Sequence, residues 1–479
     1  MHDLFATHDA LAVAGLIKAR KLDARELLDH TLRRLRDANE ELNAVADLYA
    51  GELLERSVAA AGDGPFRGIP YLVKQLMAEC AGTPTTLGSR FFAREPVSAA
   101  DSAAVARMRR AGLVIVGRTN TSEFGLAPTT EPAFGGPTRN PWRLDLSPGG
   151  SSGGSAAMVA ARVLPMAHAT DGGGSIRIPA SLCGLFGLKP SRGRISLAPI
   201  GETLAGAGVQ HCVSISVRDS AALLDATAGA QPGDPYGAPP PAGTFLEAAS
   251  RPPGRLRIAV MRRPVGGAAL EPALVRTIER TAKLLEDLGH HVEEAYPDYD
   301  AERLNEAFWR VMCANTWTNL QVRANGRTPG PDDIEPVTRL YAERGRAVTA
   351  DEYIRAVQTF HRTGRRLGAF FEAYDVLLST TLAITHLPLG RVRTDRSADE
   401  FEKAVAPLTP FTAVCNATGI PAMSLPLDWT DGGLPIGLHF AARYGAEEIL
   451  YSLAGQLERA RPWRDRRPPP VRSKRGHPC

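Results

Sequence analysis

The sequence predicts an α/β protein whose sheet is covered by helices. Three observations carry that expectation. Short continuous apolar runs lie at 69–73, 113–116, 256–260, 376–378, 422–427 and 436–440. They have strand length and no polar alternation, as expected of strands buried on both faces. Helical stretches separate them at 101–111, 272–288 and 446–459, and strand–helix alternation points to α/β layering. The chain has 479 residues, 44% hydrophobic and 23% charged. That composition is ordinary for a globular protein, and the length can bury a large core without disulfides or metals.

The first 60 residues read as helices. Asp23 followed by Glu26 is a capping-box-like start, and Leu28, Leu32 and Leu35 share one face. The run IPYLV at 69–73 reads as a strand that ends at Lys74, and LVIV at 113–116 as another. A third run, 163–169, leads into a glycine loop and then IRIPASLCGLFGLKPS. Residues 231–254 are rich in Pro and Gly and read as a connecting loop. Strands are expected on both sides of it, so one continuous domain is preferred to two. Within it, 1–65 are N-terminal helices packing on the core and 66–230 carry the main motifs. Residues 231–460 complete the sheet and shape a pocket, and 461–479 form a Pro/Arg-rich tail expected to be solvated and frayed.

Charge and cysteine usage exclude several classes. The net charge is +4, but residues 459–479 hold eight Arg or Lys and one Asp, so the remainder carries 4 − 7 = −3. A near-neutral body with a basic tail is weak ground for nucleic-acid binding. Cys80, Cys183, Cys212, Cys313, Cys415 and Cys479 are scattered without a CxxC pair, so neither a zinc site nor a disulfide framework is expected. No apolar stretch of about 18 residues is present, so no membrane span is expected. The N-terminus, broken by His2, Asp3, His8 and Asp9, lacks the layout of a signal peptide. The cytoplasm is the default location.

The chemistry concentrates between Ser147 and Ser191. Two small-residue clusters stand there, Gly149-Gly150-Ser151-Ser152-Gly153-Gly154-Ser155 and Asp171-Gly172-Gly173-Gly174-Ser175. Glycine lets a ligand approach the backbone, and successive N–H groups ahead of a helix suit an anion, either a phosphate or an oxyanion. The phosphate reading fails on two counts: no Gly-Lys-Ser/Thr is present, and Arg177 stands where a dinucleotide fingerprint needs its last glycine. Gly150-Ser151-Ser152-Gly153-Gly154 matches G-x-S-x-G by letter, but no buried strand precedes it as that motif requires. What remains is a serine hydrolase whose base is not histidine. Lys74 is the candidate, one of seven lysines beside 49 arginines. A desolvated lysine can give up its proton, whereas arginine cannot.

These residues carry a resemblance to the amidase-signature hydrolases. The matching pieces are GIPYLVKQL at 68–76, GTPTTLGS at 82–89, GRTNTSEFG at 117–125, the 147–191 segment and PAMSLPL at 421–427. Within that family, TTEPAFGGPTRNPW at 129–142 and SIRIPASLCGLFGLKPSRGRIS at 175–196 resemble the branch that opens 6-aminohexanoate (nylon-oligomer) amides. The resemblance implies the amidase-signature fold, a large mixed β-sheet covered by α-helices on both faces. It implies a Ser–cis-Ser–Lys triad: Ser175 the nucleophile, Ser151 the bridging serine at a cis peptide, Lys74 the base. Gly172, Gly173 and Gly174 would supply oxyanion N–H groups, with Ser152 and Asp171 behind them. Two departures are visible: Gln75 stands where many members have Asp, and the loop reads DGGGS where a larger residue is common at its second position.

The variable region, 297–400, is expected to line the pocket. It holds Phe308, Trp309, Trp317, Tyr341 and Tyr353, each also a candidate for core packing. Leu126, Ala127 and Cys313 are candidate substrate contacts. The expected activity is cleavage of small apolar amides through an acyl-enzyme, with 6-aminohexanoate oligomers among the candidates. Carbamate or ester hydrolysis by the same triad is the variant. A glutaminase subunit of a tRNA-dependent amidotransferase is the alternative, disfavoured by the branch-specific likeness. No cofactor or metal is expected. The expected partner is a small molecule rather than nucleic acid or membrane, and a homodimer is left open.

Overall fold

The apolar runs become strands, and most extend one to three residues past the apolar stretch. A computed structural model describes residues 4–93, 96–267 and 269–471. The strands are β1 (Val45–Leu48), β2 (Ile69–Lys74), β3 (Leu113–Thr119), β4 (Met166–Asp171), β5 (Phe186–Lys189), β6 (Val209–Ser214), β7 (Arg257–Val260), β8 (His291–Glu294), β9 (Val376–Thr380), β10 (Ala422–Trp429) and β11 (Pro435–Ala442). They form a three-stranded sheet, β1-β3-β2, and an eight-stranded sheet, β4-β6-β5-β10-β11-β9-β7-β8. The large sheet is mixed: β7 runs parallel to β8 and β9, while β10 runs antiparallel to β5 and β11. The two sheets meet where the Lys74 N–H donates to His168 Nδ1 on β4, at 3.2 Å.

Strand alternation puts helices on both faces. On β11, Ile436, Leu438, Phe440 and Ala442 join the main core with Leu450, Leu453 and Leu457 of the helix Glu447–Ala460. Burial of each such leucine contributes about 1.5–3 kcal/mol. The intervening residues face the helix Arg177–Cys183 on the other side: Gly437 lies against Ser181, and His439 Nε2 meets Arg177 Nη1 at 3.0 Å. This face carries the site.

The helix Ala24–Leu42 starts as expected, the Asp23 carboxylate accepting from Glu26 N–H at 2.9 Å. Leu28, Leu32 and Leu35 are all buried. Strand β1, inside the stretch expected to be helical, is a correction. It is four residues with only Val45 buried, so its pairing with β3 rather than apolar content defines it. The 231–254 connection holds a short helix, Phe245–Ser250, with a full Thr244/Glu247 capping box.

The tail expectation also changes. Residues 461–471 are anchored at points while most of their side chains stay exposed: Trp463 is 1% exposed and its Nε1 donates to Ile215 O at 2.8 Å, and Val471 is buried. Arg464 and Arg467 donate to the carbonyls of Thr7 and Ala6, and Arg162 to those of Arg464 and Arg466. Guanidinium groups satisfy the carbonyls at a helix end, and that ties this stretch down. Residues 472–479, with Cys479, lie outside the described residues.

Over the site stand the helices Ala301–Ala324, Pro336–Ala347 and Ala350–Ala373. Phe308, Val311, Tyr341, Phe360 and Phe401 form a second apolar core among them. Among the described residues no helix is long and apolar enough to cross a membrane, and no His, Cys, Asp or Glu group could hold a metal.

Candidate active site

The end of β2 carries Lys74 into a fully buried position. Its Nζ meets three hydroxyls: Ser151 Oγ at 2.7 Å, Thr170 Oγ1 at 2.8 Å and Ser152 Oγ at 2.9 Å. Among the described residues no carboxylate pairs with it. Burial pushes the amine well below the ordinary lysine value, against the opposing charge of Asp171. The environment therefore favours a neutral amine, which can accept a proton. His168, behind it, is neutral for the same reason, held down to about 3 by burial. Its Nδ1 accepts from the Lys74 backbone, so Nε2 carries the proton toward Gln210 Oε1.

Ser151 and Ser152 lie at the start of the helix Gly153–Ala160. The Gly150–Ser151 peptide is cis. Only glycine fits at 150, because a Cβ there would come within 2.1 Å of Thr129 O. Thr130 Oγ1 braces the loop, donating to Gly149 O at 3.0 Å and accepting from Gly153 N–H at 2.9 Å. Ser152 Oγ donates to Thr170 O and accepts from Thr170 N–H, both at 3.2 Å. Thr170 escaped the sequence reading; its only signal was its place beside Asp171 at a strand end.

The second cluster wraps around Asp171, which is fully buried. Its carboxylate accepts from Gly174 N–H at 2.7 Å, Ile176 N–H at 3.1 Å and Asn416 Nδ2 at 2.9 Å. Arg177 donates to both oxygens at 3.0 Å. Burial alone would raise this carboxyl, but the adjacent guanidinium holds it well below the usual range. This corrects the reading of the glycines. The Gly174 N–H points into the turn, not toward a ligand. Those of Gly172, Gly173 and Ser175 make no hydrogen bond among the described residues.

Ser175 is 9% exposed and opens on a cavity of about 410 Å³ that Ser151, Thr170 and Gly172 also line. No hydrogen bond joins Ser175 Oγ to Ser151 Oγ in this state. A smaller cavity of about 70 Å³ adjoins it, walled by Gly173, Ile178, Phe308 and Trp309. Leu126 lines both cavities and Ala127 the smaller one. Cys313 lines neither. It is buried, and its carbonyl packs against Gly345 of the neighbouring helix. Successive helical residues point about 100° apart, so the adjacent Met312 faces both cavities and Cys313 turns away. Of the other aromatics, Tyr341 is core, Tyr353 packs on that core, and Trp317 packs beside Phe92 and stacks with Arg346. Gln75 is structural: its Oε1 accepts from Thr86 N–H at 3.0 Å.

An α/β fold that buries a lysine amine against serine hydroxyls, with a glycine turn and a third serine at a cavity, defines a class: serine hydrolases acting on acyl compounds. The Amidase family model matches residues 26–451, and the chain belongs to that family. It is an enzyme, an amidase-signature serine amidohydrolase. It is 37% identical to the 6-aminohexanoate-cyclic-dimer hydrolase of Paenarthrobacter ureafaciens, covering 96% of each chain. A solved structure of 6-aminohexanoate cyclic dimer hydrolase superposes with a TM-score of 0.92 at 36% identity, covering 97% of this chain and 99% of that one. A bacterial aryl acylamidase of the amidase signature family superposes with a TM-score of 0.86 at 26% identity, covering 96% and 97%.

Proposed function

We propose that Ser175 is the nucleophile, Ser151 the proton carrier and Lys74 the base in hydrolysis of small, largely apolar amides. The observation that carries this reading is the buried Lys74 Nζ, 2.7 Å from Ser151 Oγ beside the cavity that Ser175 lines. Neutral Lys74 takes the Ser151 proton while Ser151 takes that of Ser175. Ser175 Oγ bonds to the carbonyl carbon, and the oxyanion sits against the N–H groups of Gly172 and Gly173. The proton returns through Ser151 to the departing nitrogen, the C–N bond breaks, and the amine leaves. Water then adds to the acyl-enzyme, releases the acid and restores the Ser175 hydroxyl. Ser152 and Thr170 hold the Lys74 amine in line, and Asp171 shapes the glycine turn.

The 96% span of likeness to a 6-aminohexanoate-cyclic-dimer hydrolase supports aminohexanoate-type amides as substrates of a stand-alone hydrolase. The same acyl transfer opens aryl carbamates and esters, so urethane cleavage belongs to this reading. The five described cysteines are free and buried, which fits a reducing compartment such as the cytoplasm. The test is a competition read by mass spectrometry, in which wild type and Ser175→Ala each meet an aminohexanoate cyclic dimer, an aryl amide and an aryl carbamate. Loss of an amide with wild type alone is expected. Equal turnover by Ser175→Ala overturns the nucleophile assignment, and preferential loss of the carbamate changes the substrate class.

A further inference from the structure

The two cavities share six wall residues: Gly125, Leu126, Gly172, Ser175, Leu204 and Met312. Ser175 therefore stands at a neck between them. Ser151 and Thr170 line the larger cavity alone, and Gly173 the smaller alone. The proton must reach the departing nitrogen from Ser151, so that nitrogen lies on the larger side. The acyl chain then points through the neck into the smaller, apolar side.

Leu204 stands at this neck in a backbone conformation that leucine rarely adopts. Leu204 and Ala205 have φ of 56° and 53°, in the left-handed region disfavoured for residues with a Cβ. Three side chains, Asn315, Glu202 and Arg192, hold the turn there through four hydrogen bonds. Asn315 Oδ1, on the helix Ala301–Ala324, accepts from Leu204 N–H and Thr203 Oγ1, both at 3.2 Å. Glu202 Oε2 accepts from Gly206 N–H at 2.7 Å, and Arg192 Nε donates to Gly206 O at 2.7 Å. The Leu204 side chain consequently lies over Gly172, where an added Cβ would meet Leu204 Cδ1 at 2.8 Å.

We infer that Leu204, latched by Asn315, is the residue that sets acyl-chain length, because it closes the neck between an amine chamber on the Ser151 side and a short acyl chamber on the Phe308 side. The inference rests on the proposed function and sharpens its substrate class to amides whose acyl chain is no longer than the aminohexanoyl chain. Leu204 acts by contact with substrate, and Asn315 is a positioning residue.

The experiment measures kcat and KM for acetyl, butanoyl, hexanoyl and octanoyl 4-nitroanilides, and for acetyl amides of amines of increasing size. The proteins are wild type, Leu204→Ala, Leu204→Phe, Asn315→Ala, Asn315→Asp and Ser175→Ala. Wild type is expected to lose kcat/KM between the hexanoyl and octanoyl substrates and to tolerate the amine series. Leu204→Ala should raise the octanoyl-to-acetyl ratio by about 10-fold or more, since apolar-pocket fit is worth that per group. Leu204→Phe should lower the ratio. Asn315→Ala should move it as Leu204→Ala does, while Asn315→Asp, which keeps the acceptor oxygen, should restore it. A merely structural latch would alter activity without moving this ratio. A Ser175-dependent activity whose ratio stays put in Leu204→Ala and Leu204→Phe, or whose amine preference moves instead, overturns the inference alone. Absence of any Ser175-dependent activity overturns the proposed function and the inference together.

Discussion

Arg177 grips both carboxylate oxygens of Asp171 at 3.0 Å, and neither side chain has any exposed surface. The pair sits under the glycine turn, because the same carboxylate also takes the N–H groups of Gly174 and Ile176. Removing Arg177 leaves a buried carboxylate without its counter-ion, held only by the N–H groups of Gly174, Ile176 and Asn416. Arg177→Met is expected to destabilise the fold by about 3–5 kcal/mol. Urea unfolding monitored by tryptophan fluorescence checks this. A loss below about 1 kcal/mol would mean that the turn does not depend on the pair.

Lys74 links stability and activity to pH in the same direction. Its buried amine titrates well below the ordinary lysine value. Between that lowered value and about 10.4, the unfolded chain carries the proton and the folded chain does not. Stability therefore rises with pH across that window. Activity is expected to rise through the lowered value itself, where the folded amine loses its proton, and to level off above it, since the neutral amine is the proposed base. Lys74→Met should lower kcat by roughly 10²–10⁴-fold, the range for a general base, and should remove the rise toward alkaline pH. A Lys74→Met enzyme that keeps the wild-type kcat and pH profile would exclude Lys74 as the base.

Glu123 gives the opposite slope. Burial first, and the charge of Glu335 second, raise its carboxyl to about 7. Its Oε2 accepts the Glu335 N–H at 2.7 Å, at the start of the helix Pro336–Ala347. From the unfolded value near 4.3 up to about 7, the folded chain holds the extra proton. This contribution to stability is complete below that window and is lost as pH rises through it. Glu123→Gln, which stays neutral, should resist unfolding better than wild type at pH 8 and little differently at pH 5. Paired thermal melts decide it, and equal differences at both pH values would count against the buried acid.

Cys313 offers a packing test. It lines neither cavity and lies in the second core. Cys313→Ala should lower stability by about 1 kcal/mol, as expected for a small core truncation, and leave KM within a factor of two. Gly345→Ala should cost more, about 1–3 kcal/mol, because a Cβ there would come within 1.9 Å of Cys313 O. A large KM change in Cys313→Ala with unchanged melting would return Cys313 to the pocket.

Much of the scaffold was legible because its strands are continuous apolar runs. Burial on both faces leaves no polar alternation, so β2, β3, β7, β9, β10 and β11 could be read from residue type alone. Strands β1 and β8 are short and largely exposed, and only their pairing partners define them. Strand β6 mixes polar and apolar residues without alternation, with Gln210 and His211 buried against His168 and Tyr451. The anchors of the tail were not legible because Arg464 and Arg467 find their acceptors on a helix more than 450 positions away.

By itself the sequence determined the fold class, the two serine–glycine clusters and the candidacy of Lys74, since these depend on residue type and local spacing. Tertiary structure decided what those residues do to one another. Lys74 and Lys189 both end strands and both are wholly buried. Lys189 Nζ donates to Pro190 O, while Lys74 Nζ faces three hydroxyls brought from 77, 78 and 96 positions away. The same holds for the glycine turn, where Asp171 takes the Gly174 N–H, and for the helix Ala301–Ala324, which turns Met312 to the cavity and Cys313 away. Reactivity depends on desolvation and on ångström-scale distances between groups far apart in the chain, and only packing supplies either.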